Sequence, residues 1–144
     1  MPLDDSTIIE IKTFLDDLGG LGNIRVGFLD TTPNSLAAIY EYGGFKADGR
    51  FGVAGIGYER PTIQIVFRGE PNDYANPAWK ARRVYLALAA VQPGVLYTGS
   101  TVYQMIEPMQ PPFSMGRDAN LRFMIACNYM ITKEPCSSAL TDCP

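Results

Sequence analysis

The sequence contains no histidine. That absence removes imidazole general bases, histidine-assisted serine or cysteine nucleophiles and most zinc sites. Cysteine is scarce: Cys127, Cys136 and Cys143 are an odd number without CxxC spacing, which argues against a disulfide framework. Long apolar runs are also missing near the start, where "MPLDDSTIIEIK" is acidic and interrupted, unlike a signal peptide or a transmembrane helix. The chain is therefore expected to be made and kept in a cytoplasm, with no membrane partner. Basic charge is in deficit, 12 Lys and Arg against 15 Asp and Glu for a net charge of -3. A sequence-independent grip on nucleic acid needs clustered cations that displace counterions, so that class is disfavoured, while passage of nucleic acid past an acidic wall stays compatible.

Catalytic signatures are lacking too. There is no SxxK or GxSxG, and the acidic residues form no compact set with metal-ligand spacing. Neighbouring pairs such as Asp4 with Asp5 and Asp16 with Asp17 diverge by about 100° on a helix. These gaps predict a protein that is not an enzyme and takes no cofactor or metal.

What is present is ordinary globular composition: 144 residues, 47% hydrophobic and 19% charged. A chain of this length buries roughly two-thirds of its unfolded surface and supports a single core without staples. The first predicted element is a helix, capped by Asp5, Ser6 or Thr7, with a capping-box spacing from Thr7 to Glu10. Ile8, Ile11, Leu15 and Leu18 form its apolar face until Gly19 and Gly20 stop it. Asp16 and Asp17 sit where the helix dipole favours cations, a mild penalty that Lys12 offsets from one turn back. Such an end is either a solvated acidic terminus or a docking point for a basic neighbour.

"NIRVGFL" alternates with the period of a half-buried strand, and "DTTPN" after it is turn chemistry. "SLAAIYEY" fits helix or strand by period, but Tyr40 and Tyr42 beside Ile39 favour strand. "PTIQIVFRG" is a clear strand. A second helix starts near Asp73 or, better, with Asn76 as cap and Pro77 at the first helical position. Its buried stripe is Ala78, Ala81, Tyr85 and Leu88, with Lys80, Arg82 and Arg83 largely off it and "QPG" at Gln92 to Gly94 ending it. Trp79 and Tyr85 are read as core residues. "TVYQMIE" is a strand, "PMQPPFSMGRD" a proline-rich connection, and "NLRFMIACNYMI" a long central strand with Leu121, Phe123, Ile125, Cys127 and Tyr129 on one face. Cys127 is a small core residue. "KEPCSSALTDCP" has no periodicity and is expected to be a mobile tail carrying Cys136 and Cys143 as free thiols. The fold class is thus α+β: one domain over residues 1–132, an antiparallel or mixed sheet of four to five strands with two helices on one face, and a tail over 133–144.

The segment "GGFKADGRFGVAGIG" places six glycines in fifteen residues. A Walker loop would need Gly-Lys-Ser/Thr, yet Lys46 lies between Phe45 and Ala47; a dinucleotide fingerprint would need glycine at Arg60 and a helix to follow. Both fail, leaving a long link between strands whose Phe45, Lys46, Arg50 and Phe51 either pack back on the domain or await a partner. Arg117 and Asp118 in "MGRD" form either a turn pair or a contact between subunits.

In order, "IYEYGG", "ERPTIQIVFRGEPNDYANPAWKARRVYLAL" and "QPPFSMGRDANLRFMIACNYMI" resemble the tail terminator proteins of long-tailed bacteriophages, also known as minor capsid or tail-completion proteins. The similarity runs from about Asn23 to Lys133 and rests on the order and spacing of its parts. The acidic first helix and the cysteine-bearing tail match no motif of the family. The resemblance implies a structural virion protein of the tail and neck, assembled as a hexameric ring on the last ring of the tail tube. There it would end tube polymerisation and join the head connector or stopper protein, with DNA passing through the lumen. Within that picture Lys80, Arg82, Arg83, Arg117 and Asp118 belong near subunit interfaces, and Phe45, Lys46, Arg50 and Phe51 against an adjacent subunit or the tail tube. Other readings are a different neck protein, such as an adaptor or stopper, a small monomeric ligand-binding domain with the glycine-rich segment as lid, and a metal-free hydrolase of unusual type.

Overall fold

Two long strands organise the chain, and each turns one apolar face to the core. In a computed structural model, which describes residues 7–45, 60–90 and 102–134, the elements in order are α1 (Thr7–Leu18), β1 (Ile24–Val26), β2 (Leu36–Phe45), β3 (Arg60–Pro71), α2 (Ala75–Ala89), β4 (Val102–Pro108), β5 (Phe113–Arg117) and β6 (Arg122–Glu134). β3 and β6 pair antiparallel, with Ile63 opposite Tyr129, Ile65 opposite Cys127 and Phe67 opposite Ile125. Residues directly opposite share a face, so one side of this pair is a continuous apolar surface. β2 extends it antiparallel on β3, setting Ile39 against Ile65 and Ala37 against Phe67. β1 is parallel to β2 and forms that edge.

The domain is α+β, as the sequence predicts, and among the described residues its mixed, mostly antiparallel sheet has six strands in the order β1-β2-β3-β6-β4, with β5 also on β6. The additional strand is β5, inside the segment read as a connection. Four of its five positions are exposed, so it shows no apolar alternation. Its place comes from backbone pairing, Phe113 opposite Ala126. β4 and β5 lie along successive stretches of the same side of β6, bridged by a hydrogen bond from Met109 N–H to the Asn128 carbonyl.

Both helices cover the apolar face. α1 contributes Ile11 and Leu15, α2 contributes Ala81, Val84 and Leu88, and all five are buried with Ile63, Ile65, Phe67, Ile125 and Ile131. Ala78 and Tyr85 pack at the margin. Gly19 ends α1 in a left-handed conformation (φ 76), a common helix stop because no Cβ opposes it. Gly69 of β3 lies against the start of α2, where a Cβ would come 2.7 Å from Pro77 Cδ.

Three local readings are corrected. α2 begins at Ala75 with Tyr74 at the N-cap position, and the Asp73 carboxylate just before it accepts the Asn76 N–H at 3.2 Å, so Asn76 is inside the helix. Gly43 to Phe45 belong to β2, since Gly44 pairs with Pro61 and Phe45 with Arg60 after a register shift. Leu121 is outside the β6 core face, with a positive φ and about half its surface exposed. The remainder of the glycine-rich segment and the tail with Cys136 and Cys143 lie outside the described residues, and β6 runs through Glu134.

The two faces of α2 give a direct test of this packing. Leu88 is fully buried whereas Leu86 is 54% exposed. Leu88→Ala is expected to lower unfolding free energy by about 2–5 kcal/mol in urea titration, and Leu86→Ala by no more than about 0.5 kcal/mol.

Candidate functional site

The charged residues singled out in the sequence fall into two groups. On α2, Arg83 faces α1 and donates to the Gly19 and Leu18 carbonyls at 2.8 and 3.1 Å. These belong to the last turn of α1, whose carbonyls have no helical partner and carry the negative end of the dipole. A cation from α2 thus supplies what α1 lacks in its own last turn, while Lys12 and Asp16 pair at 2.6 Å along its surface. Lys80 Nζ bonds to Ser35 Oγ at 3.1 Å. Arg82 points outward, its guanidinium 5.0 Å from the centre of the Tyr85 ring.

The second group surrounds the β5–β6 turn. Asp118 Oδ1 accepts the backbone N–H groups of Asn120 and Arg122, and its Oδ2 pairs with the Arg122 guanidinium at 2.8 Å. Those backbone donors, with the guanidinium, hold the Asp118 carboxyl below its ordinary range. Asp118 is therefore committed to shaping its turn. Arg117 is exposed, bonds to Asn72 Oδ1 at 2.9 Å and lies over the Phe123 ring, which meets Tyr74 edge-on at 5.3 Å between centres. Phe45 ends β2; Lys46, Arg50 and Phe51 lie outside the described residues.

Sequence reading did not find a pair of buried arginines among the charged residues of the sheet. Arg68 and Arg122 are both 4% exposed and lie on the sheet side away from the helices. Arg68 donates to the Asn34 and Pro33 carbonyls at 3.0 and 2.7 Å; Arg122 donates to the Thr31 carbonyl at 2.7 Å and Asn34 Oδ1 at 3.2 Å. Together they bind the 31–34 segment over the end of the sheet. Burial, then the neighbouring Arg122 charge, lowers the Arg68 pKa. The signal available in the sequence was Arg68 in the polar phase of the strand alternation, which marks a face but cannot separate a solvated arginine from one that grips a loop.

Trp79, read as core, is 55% exposed. Its position is off the Pro77, Ala81, Val84, Leu88 stripe that the core uses. Cys127 is buried, and its thiol donates to the Gln110 carbonyl at 3.1 Å; burial raises its pKa, so it stays protonated as a core group. Among the described residues no three His, Cys, Asp or Glu side chains come together as a metal site.

The surface is rich in contact chemistry instead. Tyr74, Trp79, Leu86, Met115 and Leu121 are each about half exposed, and Arg82 and Arg117 are exposed as well. Tyr, Trp, Met and Arg are the types enriched where proteins meet. Such a surface offers side-chain types suited to contact with other protein chains. The chain is a member of the bacteriophage tail terminator protein family, whose model matches residues 10–135. That match takes in most of the acidic α1 and ends just before Cys136. The protein is accordingly a structural component of a phage tail. No curated protein sequence matches the chain. No helix among the described residues is long and apolar enough to cross a membrane.

Two outcomes follow for the buried polar cluster. Arg122→Met strips the Thr31 carbonyl and Asp118 of their partner and is expected to cost about 1–3 kcal/mol in thermal or urea unfolding. Because the folded Asp118 pKa is depressed, its stabilisation is complete above the ordinary carboxylate range and lost as pH falls through the lower folded value. Asp118→Asn should therefore be less stable than wild type at neutral pH, with the gap closing in strong acid.

Proposed function

We propose that the protein caps the phage tail tube: copies assemble as a ring, hexameric by resemblance to the family, on the last tube ring, stop further addition of tube subunits and present the opposite face to the head connector or stopper. The family match over residues 10–135 carries this reading. The exposed aromatic, methionine and arginine side chains supply contact chemistry for a ring neighbour or the tube.

DNA passes through the lumen in this reading, and the net charge of -3 supports it, since an acidic subunit gives the phosphate backbone little reason to stick. Of the residues proposed for contacts, Arg82 and Arg117 are exposed, Arg82 beside the Tyr85 ring and Arg117 bonded to Asn72 Oδ1, so they are the best placed to reach a partner. Lys80, Arg83 and Asp118 already hold intrachain partners and act chiefly by shaping the surface that docks. Phe45, Lys46, Arg50 and Phe51 are proposed to meet the adjacent subunit or the tube.

The reading predicts how tails fail. Particles made without this protein should carry tails of uncontrolled, excessive length that do not join heads, seen by negative-stain microscopy and reversed by supplying the wild-type chain. Tails of normal length that merely fail to join heads would instead favour an adaptor or stopper.

A further inference from the structure

α2 is apolar on two sides. One stripe, Pro77, Ala81, Val84 and Leu88, is buried against the sheet. A second stripe, Ala75, Trp79, Leu86 and Ala89, is exposed, with Trp79 at 55% and Leu86 at 54%. A surface helix ordinarily has one such stripe; two indicate a helix buried from both sides in its working state. The outer stripe is also basic at its margin. α2 contains Lys80, Arg82 and Arg83 and no acidic residue, and Arg82 is the cation facing outward from the stripe.

A complementary surface exists on the same chain. The outer side of α1 exposes Ile9 at 44%, together with Asp16 and Asp17. α1 lies over β1 and β2, at one end of the sheet, whereas α2 lies over β3, β6 and β4 towards the other. Copies placed side by side in the same sense bring the α2 of one next to the α1 of the following one. That head-to-tail relation uses two different surfaces, the arrangement that generates a closed ring when the rotation per copy permits. Charge then selects the pairing, basic α2 against acidic α1, and disfavours α2 against α2.

We infer that the outer stripe of α2, centred on Trp79, Arg82 and Leu86, is the docking surface for a second copy of this chain, which seats the outer side of its α1, with Ile9 beside Trp79 or Leu86 and Asp17 facing Arg82. The inference rests on the ring reading and names the two surfaces that build the ring. It also gives the acidic end of α1 a role that its own folding does not require, since Asp17 opposes the dipole of its helix.

The sole tryptophan of the sequence is Trp79, so its fluorescence reports this surface in the unmodified protein. The experiment follows the full chain, alone at increasing concentration and added to isolated tail tubes, by light scattering, negative-stain microscopy and acrylamide quenching of Trp79. Ring formation should move Trp79 emission to shorter wavelength and reduce its quenching several-fold. Arg82→Glu, at an exposed position whose side chain meets only the rim of the core at the Tyr85 ring, should weaken ring formation tenfold or more, as should Asp17→Lys. The double variant Arg82→Glu/Asp17→Lys should restore it, because each interface again pairs opposite charges. Rings in which Trp79 stays as quenchable as in the monomer, or Arg82→Glu rings that form like wild type, overturn the inference and leave the ring reading standing. Loss in both single variants without restoration in the double overturns the choice of α1 as occupant. If the native chain forms no ring alone or on tail tubes, the ring reading itself falls.

Discussion

The antiparallel pairing of β3 with β6 is the constraint on which the rest of the structure depends. Its register puts Ile63, Ile65 and Phe67 level with Tyr129, Cys127 and Ile125 and so makes the surface that both helices cover. A slip by one residue would turn that whole set to the opposite side. On that opposite side Arg68, within this ladder, and Arg122, paired with Pro71 beyond a register shift, hold the 31–34 segment from both strands. One pairing therefore fixes the core, the position of α2 and the path of the chain between β1 and β2.

With the core satisfied, α2 still carries Trp79 and Leu86 on its solvent side, and that excess has a physical consequence. Apolar area of this kind stabilises nothing in the isolated chain and contributes only when something covers it. Because α2 is clamped to α1 through Arg83, the docking surface proposed on its solvent side is held in place before any partner arrives.

The elements legible in the sequence were those whose side chains alternate or recur against a core. α1, β3, α2 and β6 show that pattern, and even the ambiguous "SLAAIYEY" resolves correctly as strand through its tyrosines. β5 was hidden because its order comes from backbone bonds to β6, leaving Phe113 to Arg117 without apolar period. Asp73 and Asn76 are both good caps, and only the path of the chain after Pro71 decides between them. Trp79 misled because its size favours a core reading, although its helical angle already set it apart from Ala81 and Val84. Arg68 and Arg122 were beyond reach for a different reason: an arginine in the polar phase of a strand does not announce which carbonyls, Thr31, Pro33 or Asn34, will meet it in space. The candidate contact set was legible in type and less so in role, since Arg83 and Asp118 are committed within the chain while Arg82 and Arg117 face outward.

Family membership was readable through the order and spacing of segments along most of the chain, which the family match over residues 10–135 bears out. The central claim, that this chain closes the tube, is tested most directly by locating it in the intact particle. Symmetry-averaged electron microscopy of the head-proximal end of the tail should show one ring of this α+β subunit seated directly on the last ring of tube subunits and below the connector. Density for the chain on the portal instead, or distributed along the tube, would contradict the account.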